Sequence, residues 1–274
     1  MATTQWTISN HGVQITAYDY LAGGIGSLKY KGMDYAYNIL PSDPRGLTVS
    51  DHGQQIQSAG EPNDPNQKEV ENPTECGAWH ATDGTIPNKS SSILKGIRTD
   101  NNILETQCQM AYFKPYKGRN TSGVIHSKRV EIIKAGLIDY RVSFTLDKIY
   151  PSYKFEVLTG YTLPEFNTFY KFKKGKLVKV KKMINHPDAN RANSKTPIVS
   201  ATADGKHAIG VYTVPRGGDD WKRTYTVANF TKERITKWNS AWRRGNTQGR
   251  YDFQSFVMVG TLGEVEKLMN EVVK

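Results

Sequence analysis

Alternation of apolar and polar residues with period two constrains this chain more than any other feature. Across residues 103–113, Leu104, Thr106, Cys108, Met110 and Tyr112 fall on one side and Glu105, Gln107 and Gln109 on the other. Within 124–132, His126, Lys128, Val130 and Ile132 share a parity. Ile138, Tyr140, Val142, Phe144 and Leu146 then alternate with Asp139, Arg141, Ser143 and Thr145. Successive strand side chains point to opposite faces, so these runs read as half-buried strands. Residues 13–18, 153–157, 208–214 and 253–259 add further strands. Only the C-terminus reads as helix. Thr261 and Glu264 fit a capping box, and Val265, Leu268, Met269 and Val272 recur at helical spacing. Many strands with one terminal helix predict an all-β chain, a two-sheet antiparallel β-sandwich. A closed barrel is the second choice.

The chain has 274 residues and no low-complexity linker, so residues 1–274 are expected to form one domain. Lysine and arginine (37) exceed aspartate and glutamate (26), for a net charge of +11. A balance this basic favours a polyanionic partner over a neutral one, and solubility alone is the simpler account. The run at 170–182 concentrates the charge, with lysines alternating with apolar residues around Gly175. It reads as an edge hairpin blunted by lysine, or as a rim that gathers an anionic polymer. No apolar run approaches the ~18 residues of a membrane span. No nucleic-acid recognition motif accompanies the charge, so neither membrane nor nucleic acid is the expected partner. Cys76 and Cys108 could form one disulfide, although Cys108 lies in a strand pattern that suits a buried thiol. No metal-type Cys/His spacing appears, and no metal or cofactor is expected.

Residues 51–92 contrast with the strands. They carry His52, His80, Glu71, Glu75, Asn72, Gln55, Gln57 and Trp79 among frequent Gly and Pro, with few apolar side chains. Such a stretch reads as a polar site on loops and strand ends.

Several motifs carry a resemblance. Gly24-Ile25-Gly26-Ser27-Leu28, Asp51-His52-Gly53-Gln54-Gln55-Ile56-Gln57, Asn72-Pro73-Thr74-Glu75-Cys76-Gly77 and the serines 90–92 resemble the galactose-mutarotase-like sandwich superfamily. They are most similar to a bacterial group related to it. Residues 158–166 and Lys237-Trp238-Asn239 extend the likeness. Gln54 stands where that group carries arginine. The histidines and late glutamate base of an aldose mutarotase are also absent, so simple mutarotation is not expected. The resemblance implies a sugar-binding concave sheet face.

Two chemistries follow for a polysaccharide substrate, and an acidic, uronate-containing one suits the charge. β-Elimination needs a base, an acid and a group that relieves the carboxylate's charge. His52, Glu75 and His126 are candidate catalytic residues. Gln55, Gln57, Asn72, Trp79, His80, Lys128, Arg129, Trp238 and Arg243 are candidate substrate-binding residues. Hydrolysis instead needs two carboxyl groups, for which Glu75 and Glu165 are the best pair. A non-catalytic carbohydrate-binding module is the third reading. A secreted or extracytoplasmic setting would suit such a substrate, although residues 1–6 do not read as a signal peptide.

Overall fold

In the computed structural model, alternation becomes a sandwich because two very long strands bend. The structure describes residues 4–36, 56–62, 73–76, 79–80, 89–116, 119–185, 190–218, 220–230 and 235–274. Strands β1 (Gln5–Asn10), β2 (Val13–Tyr18), β3 (Ile25–Tyr30) and β4 (Met33–Asp34) form an antiparallel meander. His11-Gly12 and Lys31-Gly32, all with positive φ, make its two-residue hairpin turns.

The next strands are β5 (Gln57–Pro62), β6 (Pro73–Thr74), β7 (Trp79–His80), β8 (Lys89–Ser90), β9 (Ile93–Asp100) and β10 (Ile103–Tyr116). Then come β11 (Arg119–Lys134), β12 (Leu137–Thr162), β13 (Thr168–Lys173), β14 (Lys176–Lys179), β15 (Ile184–Asn185) and β16 (Asn190–Ser194). The chain ends with β17 (Ile198–Ala201), β18 (Ala208–Thr213), β19 (Lys222–Phe230), β20 (Ile235–Gly260) and helix α1 (Leu262–Val272). Strands β7 and β8 pair with each other, and the remaining fourteen form one hydrogen-bonded antiparallel network.

The register of β12 on β20 breaks between Leu146 and Tyr150. Before the break, β12 pairs with β11 and the second half of β20. After it, β12 pairs with β5 and the first half of β20. The network therefore folds into two layers that share both strands. Phe144 and Phe253 from one layer meet Phe155 from the other, with ring centroids 5.3 and 5.2 Å apart. The meander covers the rest of the first layer's inner face, where Ile8, Ile15 and Leu28 join Leu104, Val130 and Ile138 in the main core.

Helix α1 packs Val265, Leu268 and Met269 on the outer face of that layer against Leu137 and Met258. Thr261 Oγ1 accepts from Glu264 N, and the Glu264 carboxylate accepts from Thr261 N, the capping box the sequence predicts. The architecture is the expected antiparallel β-sandwich with one C-terminal helix.

Candidate functional site

Phe155 turns inward to the aromatic core, so its neighbours Lys154 and Glu156 turn outward. Cross-strand register extends that outward face into a lattice. Glu61, Lys154, Arg243 and Lys222 form one row. Ala59, Glu156, Ala241 and Thr224 form the next. Thr159, Asn239, Thr226 and Asn193 follow, then Tyr161, Lys237, Ala228 and Arg191. These residues line a groove of about 520 Å³.

The floor is a chain of charged hydrogen bonds. Lys154 Nζ donates to Glu61 Oε1 and to Glu156 Oε1, both at 2.9 Å. Lys237 Nζ lies 3.7 Å from Glu156 Oε2 and 5.3 Å from the centre of the Tyr161 ring. Asn239 Nδ2 donates to Glu156 Oε1 at 3.1 Å, while the buried Asn239 Oδ1 has no hydrogen-bond donor. A buried acceptor without a donor costs about 1–3 kcal/mol.

The two carboxyl groups are pushed apart in proton affinity. Burial, then the nearby Glu156 charge, raises the Glu61 carboxyl against the opposing pull of Lys154. Burial also acts to raise Glu156, but the ammonium groups of Lys154 and Lys237 outweigh it and hold that carboxyl well below the usual range. Burial lowers Lys237, and the adjacent Glu156 more than restores it, leaving the ammonium firmly charged. Two carboxyl groups whose proton affinities are pushed in opposite directions are the raw material of acid–base chemistry. Glu61 is also the more accessible, with its side chain 35 % exposed against 5 % for Glu156.

The sequence-predicted candidates are dispersed. Glu75, His126 and Lys128 do come together, but inside the sandwich, all three side chains fully buried. Lys128 Nζ is paired with Glu75 Oε1 and donates to Gly23 O at 2.9 Å; Glu75 Oε2 accepts from Ser58 N at 3.0 Å. Breaking such a buried pair costs about 3–5 kcal/mol. The pair therefore ties the turn after β6 to β11 and to the Gly23 bend. His126 stacks edge-on against Phe144, with no hydrogen bond at either ring nitrogen. Burial pushes its pKa down to about 4 despite the nearby Glu75 charge, so the ring is neutral. Cys76 and Cys108 are buried thiols, and neither forms a disulfide.

Glu165 is exposed in the turn after β12, whereas Glu75 is enclosed. Trp238 lies against Gly160, with almost no exposed surface. Arg129 is held by Glu131 at 2.7 Å on the outer face of the other layer. Arg243 lines the groove. Gln57 is the register partner of Thr159, next to the groove's third row. Trp79 and His80 form β7. His52, Gln55 and Asn72 lie outside the described residues. Among the described residues, no group of three or more His, Cys, Asp and Glu is arranged to hold a metal ion.

Sequence reasoning missed Glu61, Lys154, Glu156, Lys237 and Asn239. A signal for three of them was present. Lys154 and Glu156 interrupt the core-facing run Tyr153, Phe155, Val157 at the opposite parity, and Asn239 alternates with Trp238 and Ser240. One face of each strand is built for the core and the other carries the polar groups.

No family model matches the chain, and no curated protein matches it by sequence. Among solved structures it is similar to the Slr1438 protein of Synechocystis sp. PCC 6803. That likeness has a TM-score of 0.53 and 10 % identity over 95 % of this chain and 97 % of the other. A candidate aldose 1-epimerase of Klebsiella pneumoniae gives a TM-score of 0.53 and 9 % identity over 98 % and 83 % of the two chains. The GH36 α-galactosidase AgaA of Geobacillus stearothermophilus gives 0.50 and 8 % identity, over 96 % of this chain and 42 % of its own. At such identities the likeness is one of fold. The described architecture is the mutarotase-like β-sandwich.

Proposed function

We propose that the chain is a carbohydrate-active enzyme that takes an anionic, uronate-containing glycan in the groove and cleaves it by β-elimination. The observation that carries this reading is the pair of carboxyl groups, Glu61 and Glu156, held by one shared ammonium on the floor of a groove lined mainly by cationic groups. Glu61 in its ionised form takes the proton from the carbon beside the substrate carboxylate. Lys237 and Arg243 offset the charge that develops on that carboxylate. As the bond to the leaving oxygen breaks and the carbon–carbon double bond forms, Glu61 returns the proton to that oxygen. The Thr224 and Thr226 hydroxyls orient sugar hydroxyl groups, and Asn239 holds Glu156 in place beneath them.

Two features favour elimination over hydrolysis. A glycosidase needs its carboxyl groups roughly 5–5.5 or 6.5–9.5 Å apart, with sugar or water between them. Glu61 and Glu156 instead both accept from one ammonium, Lys154 Nζ, which sits between them where the sugar or water would have to be. The groove is also lined by more cationic groups than anionic ones, with Lys154, Lys222, Lys237, Arg191 and Arg243 against the two glutamates.

The test is incubation with a panel of polyuronates and neutral glycans, following the far-ultraviolet absorbance of an unsaturated uronate. We expect absorbance from a polyuronate and a fall of about 100-fold or more in rate for Glu61→Gln, with binding retained. Reducing ends without that absorbance would replace elimination with hydrolysis. Binding without product would make the chain a module.

A further inference from the structure

The groove's chemistry does not use the most basic stretch of the chain. Seven of the twelve residues from Lys171 to Lys182 are lysine, and all of these but Lys171 are exposed. Strands β13 and β14 carry most of them, joined by a two-residue turn at Lys174 and Gly175, both with positive φ. Lys173 and Lys176 stand directly opposite each other across the hairpin, beside Lys174. Like charges in that position repel. Among the described residues no carboxylate pairs with these lysines. The carboxylate that does touch the hairpin, Glu266, accepts from the backbone N–H of Leu177 at 2.7 Å.

Lysine on an edge strand commonly serves to prevent pairing with other chains. That role is already shared here by helix α1. Glu266 occupies Leu177 N–H, and Asn270 Nδ2 donates to Gly175 O at 3.0 Å. The concentration of charge exceeds what edge protection requires.

The hairpin is continuous with the groove wall. Lys171 Nζ donates to Asn193 O at 3.1 Å, and Asn193 and Arg191 line the groove. Beyond β14, Lys181 and Lys182 lead into β15, where Ile184 pairs with Arg191. A strip of positive charge thus runs from the groove over the edge of the sandwich to the hairpin tip.

We propose that this strip is an extended subsite for an anionic polysaccharide, gripping units of the chain beyond those in the groove. The inference rests on the carbohydrate reading of the groove. It makes the substrate a polymer rather than a short oligosaccharide. The groove that the strip continues is lined by amide and hydroxyl groups suited to sugars. Phe172 of the hairpin is buried, leaving it unavailable as a base-stacking platform of the kind single-stranded nucleic acids use.

The experiment is titration of the whole chain with polygalacturonate and with its trisaccharide at several salt concentrations. The wild type is compared with a Lys173→Gln, Lys174→Gln, Lys176→Gln, Lys179→Gln variant and with Asn239→Ala. The hairpin variant should lose about tenfold or more in affinity for the polymer, with a shallower salt dependence. It should bind the trisaccharide as the wild type does. Asn239→Ala should weaken both. Circular dichroism and melting temperature establish that each variant is folded. Lys181→Gln with Lys182→Gln repeats the test if the first variant is not. Unchanged polymer affinity in a folded hairpin variant would overturn the subsite and leave the groove reading standing. Failure of the wild type to bind either length would overturn both. Duplex DNA that binds more tightly than the polymer, and loses that advantage in the hairpin variant, would make the strip a nucleic-acid surface and end the proposal.

Discussion

Glu156 is held ionised by Lys154 and Lys237 inside a sheet face, and this sets a pH dependence. Its folded pKa lies below the unfolded value of 4.5, so its stabilisation is present above pH 4.5 and lost as pH falls through the folded value. His126 acts over a higher window. Buried and neutral, it has a folded pKa of about 4 against 6.5 unfolded. The unfolded chain therefore binds the extra proton, and stability falls between pH 6.5 and about 4, by about 3 kcal/mol in all. Urea unfolding across pH should separate the two. His126→Leu should flatten the slope between pH 6.5 and 4 and cost less than about 2 kcal/mol at pH 8. Glu156→Gln should remove the acid-side loss below pH 4.5. It should also cost up to about 3 kcal/mol at pH 7, because it leaves two half-buried ammonium groups short of a partner. An unchanged slope in His126→Leu would show that the imidazole is reached by solvent.

At the scale of elements, strands β12 and β20 do most of the positioning. Their pairing puts Glu156, Lys154 and Tyr161 beside Ala241, Arg243 and Lys237. Gly160 sits in this ladder opposite Trp238, and a Cβ there would run into the indole ring. The tryptophan thereby fixes the stretch of β12 that carries Thr159 and Tyr161. Gly160→Ala should destabilise by about 1–3 kcal/mol through overpacking. It should also weaken sugar binding, since the third and fourth rows of the lattice move with the strand. A denaturation midpoint and a binding isotherm on one preparation check both. A loss of stability with unaltered binding would show that the ladder tolerates the shift.

Over the whole molecule, the aromatic cluster holds the two layers together. Phe155 contacts Phe144, Phe253, Tyr153, Trp221 and Tyr251 with ring centroids between 4.6 and 6.0 Å. It is the residue that makes its neighbours Lys154 and Glu156 face the groove. Phe155→Ala should cost about 3–5 kcal/mol. By loosening the layer that carries the groove, it should reduce glycan binding more than a surface change such as Lys148→Ala. Guanidinium unfolding and titration of the same variants test this, and equal binding losses in the two would count against the coupling.

Strand parity and the capping box needed no tertiary information. Alternation at Ile138–Phe144 and the Thr261–Glu264 pair are local patterns, because side-chain direction in a strand and the reach of a cap depend only on near neighbours. The likeness in residues 24–57 and 72–77 pointed to the right fold, and the basic run at 170–182 was legible as a hairpin around Gly175. The candidate site was not legible in the same way. Glu61 and Lys154 are 93 positions apart, and Glu156 and Asn239 are separated by 83. Which strands lie side by side, and in what register, is decided by long-range pairing and by the bend at Leu146–Tyr150. His126 shows the same limit. Its parity with Val130 and Ile132 placed it on a shared face, but only packing against Phe144 made that face the core and not the groove. Sequence determined which residues share a face of each strand. The tertiary structure decided which of those faces meet water, because that depends on what the opposite layer covers.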